Sequence, residues 1–138
     1  EMAPVAGTPM DFTKAKSLGE DIRKPFAALA FGKGYDNCYV IDGYKKGEMA
    51  LAAVLTDEVS GRTLEVLTTQ PAVQIYTGNW LNGCPATKSG NRTYFDYDGV
   101  AIECQGMPDA PNHANFPSQV LDKGEQYAQS IVFRFSTK

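Results

Sequence analysis

Short runs of apolar or alternating residues, separated by turn-forming residues, recur along most of the chain. Gly61 closes the turn DEVSG between the first two runs, where it supplies the left-handed backbone that a hairpin needs. The only helix predicted is short, around Lys16–Ile22. Many short strands with Gly and Pro between them predict an all-β sandwich. The predicted strands are Met49–Leu55, Arg62–Thr69, Ala72–Thr77, Arg92–Tyr97, Gly99–Gln105 and Gln126–Thr137.

Two of these runs carry polar side chains on one face only, because successive side chains of a strand point to opposite faces. In GVAIECQ, Glu103 shares a face with Ala101 and Gln105, and apolar residues occupy the other face. In AVQIYT, Gln74 shares a face with Ala72 and Tyr76. This polar face either meets solvent or lines a cleft in which Glu103 acts as acid, base or hydroxyl ligand. The pattern alone leaves both interpretations open.

Composition fits one folded domain of 138 residues, with 43% apolar and 11% aromatic residues. A net charge of −3 with scattered basic residues disfavours a nucleic-acid partner. No apolar stretch approaches the roughly 20 residues of a membrane helix. The sequence predicts neither a nucleic-acid partner nor a membrane partner.

The three cysteines do not indicate a metal centre. Cys38, Cys84 and Cys104 are too widely spaced for a CxxC pattern, and a single His does not complete a zinc site with them. They are interpreted as buried thiols, with pairing to another polypeptide as the alternative. The sequon Asn91-Arg92-Thr93 slightly favours a secretory origin over a cytoplasmic one. We expect no metal and no cofactor.

Five stretches carry a more specific signal, and together they extend over essentially the whole chain. In order and spacing they resemble the aldose 1-epimerase (galactose mutarotase) family. The resemblance implies a galactose mutarotase-like β-supersandwich of which residues 1–138 form only the C-terminal part, the N-terminal half being absent. The stretches are VAGTPMDF, GYDNCYVID, SGRTLEVLTTQPAVQIYTGN, IECQGMPDAPNHANFPS and LDKGEQY.

The resemblance also implies roles for individual residues. Glu103 in IECQ matches the family's catalytic base. Asp36 in GYDNCY and Gln74 in PAVQIYTGN match residues that bind the sugar. Many relatives carry His after this aspartate, whereas here Asn37 follows it, which puts the hydrogen bonding around Asp36 in doubt. The implied activity is interconversion of the α and β anomers of free aldoses such as galactose and glucose.

The general acid of this reaction has no clear candidate in the chain. In the family, histidines of the N-terminal half protonate the ring oxygen, so we expect a second polypeptide to carry that half. His113 lies in the loop PDAPNHANFPS, where bracing of the loop is the ordinary role of a histidine. The alternative is a mutarotase-like protein that binds a monosaccharide without catalysis.

Three further motifs have plainer interpretations. DYDG, Asp96–Gly99, is interpreted as a β-turn rather than a calcium loop, because it lacks the remaining ligands. FGKGYDN is interpreted as a flexible connection that presents Asp36, because it lacks phosphate-loop spacing. Trp80 is expected to pack rather than to stack on a sugar.

Overall fold

The computed structural model describes residues 2–85 and 93–137. Within these ranges the chain divides into two compact units. Unit 1 comprises residues 1–37 and 76–101, and unit 2 comprises residues 38–75 and 102–138. The elements in chain order are α1 Leu18–Asp21, α2 Ala27–Gly32, β1 Asp36–Val40, β2 Ala50–Thr56, β3 Arg62–Thr68, β4 Ala72–Tyr76, β5 Ala101–Gln105, a 3₁₀ turn Ala110–Asn112 and β6 Ile131–Thr137.

The strands form two three-stranded sheets, with strand orders β1-β4-β5 and β2-β3-β6. In the second sheet, β3 pairs antiparallel with both neighbours. The predicted hairpin is confirmed: β2 and β3 are joined by a turn in which Gly61 has φ +69°. The Asp57 carboxylate closes this turn by accepting a hydrogen bond from the Val59 amide at 3.2 Å.

In unit 2, strand β5 of one sheet comes beside strand β3 of the other. The Thr68 side chain on β3 lies close enough to the Cys104 thiol of β5 to offset part of the rise that burial causes in the pKa of Cys104. Val66 and Thr68 on that face of β3 are fully buried, and Val73 on β4 is nearly so. Val73 and Cys104, on the apolar backs predicted for β4 and β5, are thus at least half-buried.

Unit 1 is built around Tyr35, which is fully buried. The Phe12 ring meets it edge-on with ring centroids 5.0 Å apart, and the Tyr35 hydroxyl donates to the carbonyl of Pro9 at 3.1 Å. Burial raises the pKa of Tyr35 to about 12. Nearby, ion pairs from Lys16 and Lys24 hold the pKa of the buried Asp21 below its usual range.

Some predicted elements are wrong. Thr93–Tyr97 forms a loop and turn instead of a strand, and Arg92 lies outside the described residues. The Asp98 side chain accepts from the Phe95 amide at 3.0 Å, and the Tyr97 backbone is left-handed, so this backbone does not pair as a ladder. The last strand begins at Ile131 rather than at Gln126. The sequence analysis also missed α2 and β1.

Candidate functional site

In unit 2, one side of the sheet β1-β4-β5 gathers the polar residues of β4 and β5. The Gln105 side chain on β5 lies 4.0 Å from the Cys38 sulfur on β1, and Cys38 packs against the apolar cluster that contains Ala72 of the central strand β4. Side chains that meet in this way belong to one face, which we call the front face. Alternation then places Gln74 beside Ala72 and Glu103 beside Gln105 on the front face.

Gln74 and Glu103 are thus brought to the same face of neighbouring strands. Glu103 is exposed although the residues on either side of it are half-buried. Gln74 is half-buried. Glu103 therefore projects from a β-strand with its carboxylate accessible, the geometry that proton transfer to or from a small molecule requires. The predicted roles of Gln74 and Glu103 remain predictions.

The loop that follows β5 folds over part of the front face. Met107 and Ala110 pack with Ala72 in a small apolar cluster, joined by Phe116. The Gln119 side chain donates to the carbonyl of Met107 at 2.6 Å and lies where a Cβ at position 106 would overlap it. Gly106 thus lets Gln119 tie the loop down immediately after β5.

His113 braces this loop, in agreement with its ordinary interpretation. Its ring stacks on Phe116 with centroids 4.7 Å apart. Its Nε2 lies 3.2 Å from a carboxylate oxygen of Asp109, which itself has a left-handed backbone. Both contacts are internal to the loop and hold its turn in one shape.

Asp36 belongs to unit 1, where it is the first residue of β1 and is exposed. Its amide donates to the Asn37 side chain at 3.4 Å, so Asn37 bonds locally to the backbone. Gly34 and Tyr35, which precede Asp36, are buried. FGKGYDN is therefore not a flexible connection: α2 ends in it, and β1 begins in it.

Sequence analysis missed the residues that hold this segment. Asn79 is fully buried, and its side-chain amide donates to the carbonyls of Gly32 at 2.7 Å and Tyr35 at 2.9 Å. Thr77 donates to Asn79 Oδ1 at 2.6 Å. The available signal was the run TGN directly after β4, where two hydrogen-bonding side chains flank a glycine with φ +66°.

Trp80 is 59% exposed, so it does not have the packing role expected for it. The Lys33 ammonium lies 4.3 Å from its ring centroid and 2.7 Å from Asp96. Asp96 also accepts from the Asn82 amide at 2.9 Å, and these bonds hold its pKa below the usual range. DYDG is therefore a turn. The carboxylate of its first residue, Asp96, binds Lys33 and the Asn82 amide within unit 1.

No group of three or more His, Cys, Asp or Glu side chains in residues 2–85 and 93–137 is placed to hold a metal ion. No helix within the same ranges has the length and apolar composition needed to cross a bilayer. The three cysteines are free thiols and half-buried, and burial raises the pKa of Cys38 and Cys104. Asn91 and Arg92 of the sequon lie outside the described residues.

Comparison with known proteins identifies the class to which this fold belongs. The family model described as aldose 1-epimerase matches residues 1–134. Since that match takes in nearly the whole chain, the chain belongs to the aldose 1-epimerase family. The all-β prediction and the predicted family are confirmed.

Individual relatives agree with this assignment. The chain is 39% identical over 136 residues to galactose mutarotase of Homo sapiens, covering 99% of this chain and 37% of the human protein. It is 34% identical over 139 residues to aldose 1-epimerase of Escherichia coli K12, again covering 37% of that protein. A GalM/aldose epimerase homologue from C. elegans superposes with a TM-score of 0.78 at 32% identity, covering 96% of this chain and 38% of that one. The chain therefore spans little more than a third of the length of these relatives.

Proposed function

We propose that this chain takes part in aldose 1-epimerisation, with Glu103 as the base. The observation that carries the proposal is the front face in unit 2, on which neighbouring strands bear Gln74 and an accessible Glu103. Relatives named galactose mutarotase and aldose 1-epimerase support the reaction class. The substrates we propose are free aldoses such as galactose and glucose.

The chemistry explains why a carboxylate is needed. Anomers interconvert when a base takes the proton from the C1 hydroxyl, the C1–ring oxygen bond breaks, and an acid protonates the ring oxygen. Rotation about C1–C2 then lets the ring close on the other face, and the two protons return in reverse. A positioned base contributes roughly 10² to 10⁴-fold to such a transfer. Glu103 has the accessibility for this role.

Gln74 and Asp36 are proposed as sugar ligands, on their match to the family's motifs. An amide such as that of Gln74 both donates and accepts, which suits hydroxyl groups that do the same. An ionised carboxylate such as that of Asp36 accepts hydroxyl bonds that are about twice as strong as neutral ones. The two residues are proposed to orient the sugar while Glu103 moves the proton.

The general acid is proposed to come from a second polypeptide that carries the N-terminal half of the domain. The only histidine of the chain, His113, is engaged in bracing its own loop. The relatives are far longer than this chain, and some 60% of their length has no counterpart in it. A partner with the missing part would complete the acid and base pair.

An uncovered apolar surface in unit 2 supports the partner. Residues directly opposite in a sheet share a face, so the partners of Val66 and Leu64 on β6, namely Phe133 and Phe135, point to the same side as buried Val66. Phe133 is nevertheless 53% exposed and Phe135 75% exposed. We call these two aromatic side chains, with Ile131 beside them, the β6 surface. Such surfaces mark interaction sites, and β6 is an edge strand within the described sheet.

Polarimetry tests the proposal. The chain alone, and the chain with any polypeptide that copurifies with it, are mixed with freshly dissolved α-D-galactose, and the change in optical rotation is followed against buffer. We expect acceleration in the preparation that contains the second polypeptide. Sugar binding without acceleration in either preparation would support the non-catalytic alternative, and absence of sugar binding in both would overturn the proposal.

A further inference from the structure

A buried network in unit 1 holds the backbone that leads into Asp36. The Asn79 side chain joins the carbonyls of Gly32 and Tyr35, which lie on either side of the left-handed residues Lys33 and Gly34. Both partners are carbonyl oxygens, which only accept, so the nitrogen of the Asn79 amide must face them. Both N–H donors of the Asn79 side-chain amide are therefore used by the carbonyls at the two ends of this turn.

Thr77 orients the amide and holds the same backbone. Its hydroxyl donates to Asn79 Oδ1 at 2.6 Å and accepts from the Tyr35 amide at 3.1 Å. The Thr77 amide also donates to the Tyr35 carbonyl at 3.1 Å. Tyr35 is thus bonded through both of its backbone polar groups, and its side chain is fully buried. We call these bonds from Thr77 and Asn79 the Asn79 clamp.

Glycine at position 34 makes the clamp possible. Its φ of +151° is one that side chains rarely adopt, and a Cβ there would overlap Oδ1 and Cγ of Asn79. At position 32 the neighbouring contact is the Cβ of Asp36 itself, 3.5 Å from where a Cβ would stand. The turn therefore packs closely against Asn79, and position 32 of the turn lies next to the Asp36 side chain.

We infer that Asn79 is a positioning residue for Asp36. The clamp fixes residues 32 and 35, so that Asp36, which follows directly and is exposed, is carried on a rigid backbone. A ligand group held in this way binds without first losing conformational freedom, which raises affinity. The inference rests on the proposed role of Asp36 as a sugar ligand.

The test is a double-mutant cycle read by the dissociation constant for D-galactose, measured by calorimetry on the preparation that binds sugar. The variants are Asp36→Asn, Asn79→Ser and the double variant. Asn79→Ser should weaken binding about tenfold in the wild-type background, because a misplaced ligand group loses most of its contribution. In the Asp36→Asn background the same change should weaken binding less than about twofold, since the group that the clamp positions is already altered.

The outcomes separate the two claims. Normal binding by Asp36→Asn would reject Asp36 as a ligand, and with it the proposed site. If Asp36→Asn binds weakly, the role of Asp36 as a ligand stands. The positioning role alone is then overturned if Asn79→Ser weakens binding equally in both backgrounds, or in neither. Asn82→Ser is the matched control, because Asn82 is an exposed asparagine of the same unit.

A second pair of variants covers a failure of Asn79→Ser to fold. Thr77→Val removes the hydroxyl that orients the Asn79 amide and keeps the shape of the side chain, whereas Thr77→Ser keeps the hydroxyl. In the Asp36→Asn background the two variants should bind alike. With Asp36 present, binding should fall in Thr77→Val and be retained in Thr77→Ser. Equal binding by the two variants would contradict the inference.

Discussion

Gln74 is the candidate ligand whose face is fixed most directly by contacts within unit 2. It shares the front face with Ala72, whose apolar cluster packs against Cys38, and it lies on the strand next to Glu103. Gln74→Ala should raise the dissociation constant for D-galactose by about 3- to 10-fold, the range expected for loss of a neutral hydrogen bond. Calorimetry on Gln74→Ala measures this.

The exposed Gln126 provides the control for this change, because Gln126→Ala removes the same group from an irregular segment of the same unit. Its dissociation constant should stay at the wild-type value. Equal affinities in both variants would remove Gln74 from the site.

Tyr35 gives a pH dependence whose sign follows from its burial. Its pKa is raised from 10.0 to about 12, so the folded chain keeps the phenolic proton after the unfolded chain has lost it. Ionisation therefore leaves stability untouched below pH 10 and favours unfolding between pH 10 and about 12. The free energy of unfolding should fall by up to about 1.4 kcal/mol per pH unit in that window.

Urea unfolding at pH 9, 10 and 11 measures this fall, with Tyr35→Phe as the reference. Tyr35→Phe loses the bond to Pro9 at every pH but should show a shallower decline above pH 10. Identical slopes in the two proteins would assign the alkaline loss to other groups.

At the scale of elements, packing outweighs charge in the sheet β2-β3-β6. Val66 is fully buried on β3, whereas Glu65 and Arg134 form an ion pair at 2.9 Å with both side chains partly exposed. Val66→Ala should lower the free energy of unfolding by about 2 kcal/mol, because it removes buried methyl groups and leaves a cavity. Arg134→Ala should lower it by less than about 1 kcal/mol. Chemical denaturation of both variants gives the comparison, and a reversed order would contradict this description of the sheet.

The elements that sequence predicted correctly are those whose signals are local. β2, β3 and the Gly61 turn combine apolar runs with a glycine at the one position that needs a left-handed backbone. Alternation likewise assigned Gln74 to the polar side of its strand and Glu103 to the polar side of its own, and left open whether the two sides line one cleft. These features depend on neighbours in sequence, so the pattern contained them.

The elements that sequence missed depend on distant partners. Thr93–Tyr97 has the composition of a strand, but Tyr97 donates its amide to Gly78 and its hydroxyl to Lys33, so long-range bonds replace a ladder. α2 spans six residues between Pro25 and a left-handed Lys33, too few to show a helical period. The role of Asn79 likewise appears only when Gly32 and Tyr35 are brought beside it.

At the scale of the whole molecule, the β6 surface predicts how the chain behaves by itself. Exposed aromatic side chains on a sheet face favour association. Without a partner, the chain should bind the dye ANS and self-associate in size-exclusion chromatography, and the double variant Phe133→Ser/Phe135→Ser should do so less. Phe31→Ser is the control, because Phe31 is even more exposed than Phe133 and Phe135 but lies on α2 in unit 1. An equal response in both variants would show that the β6 surface has no special role.

The central claim is that the Glu103 carboxylate moves the proton of the C1 hydroxyl. NMR exchange spectroscopy on equilibrated D-galactose measures the rate of α to β exchange directly, in the preparation that shows turnover. Glu103→Gln should lower the enzyme-dependent rate by at least about 100-fold, and Glu58→Gln, an exposed glutamate of the hairpin turn in the same unit, should leave it unchanged. A wild-type rate in folded Glu103→Gln would contradict the claim.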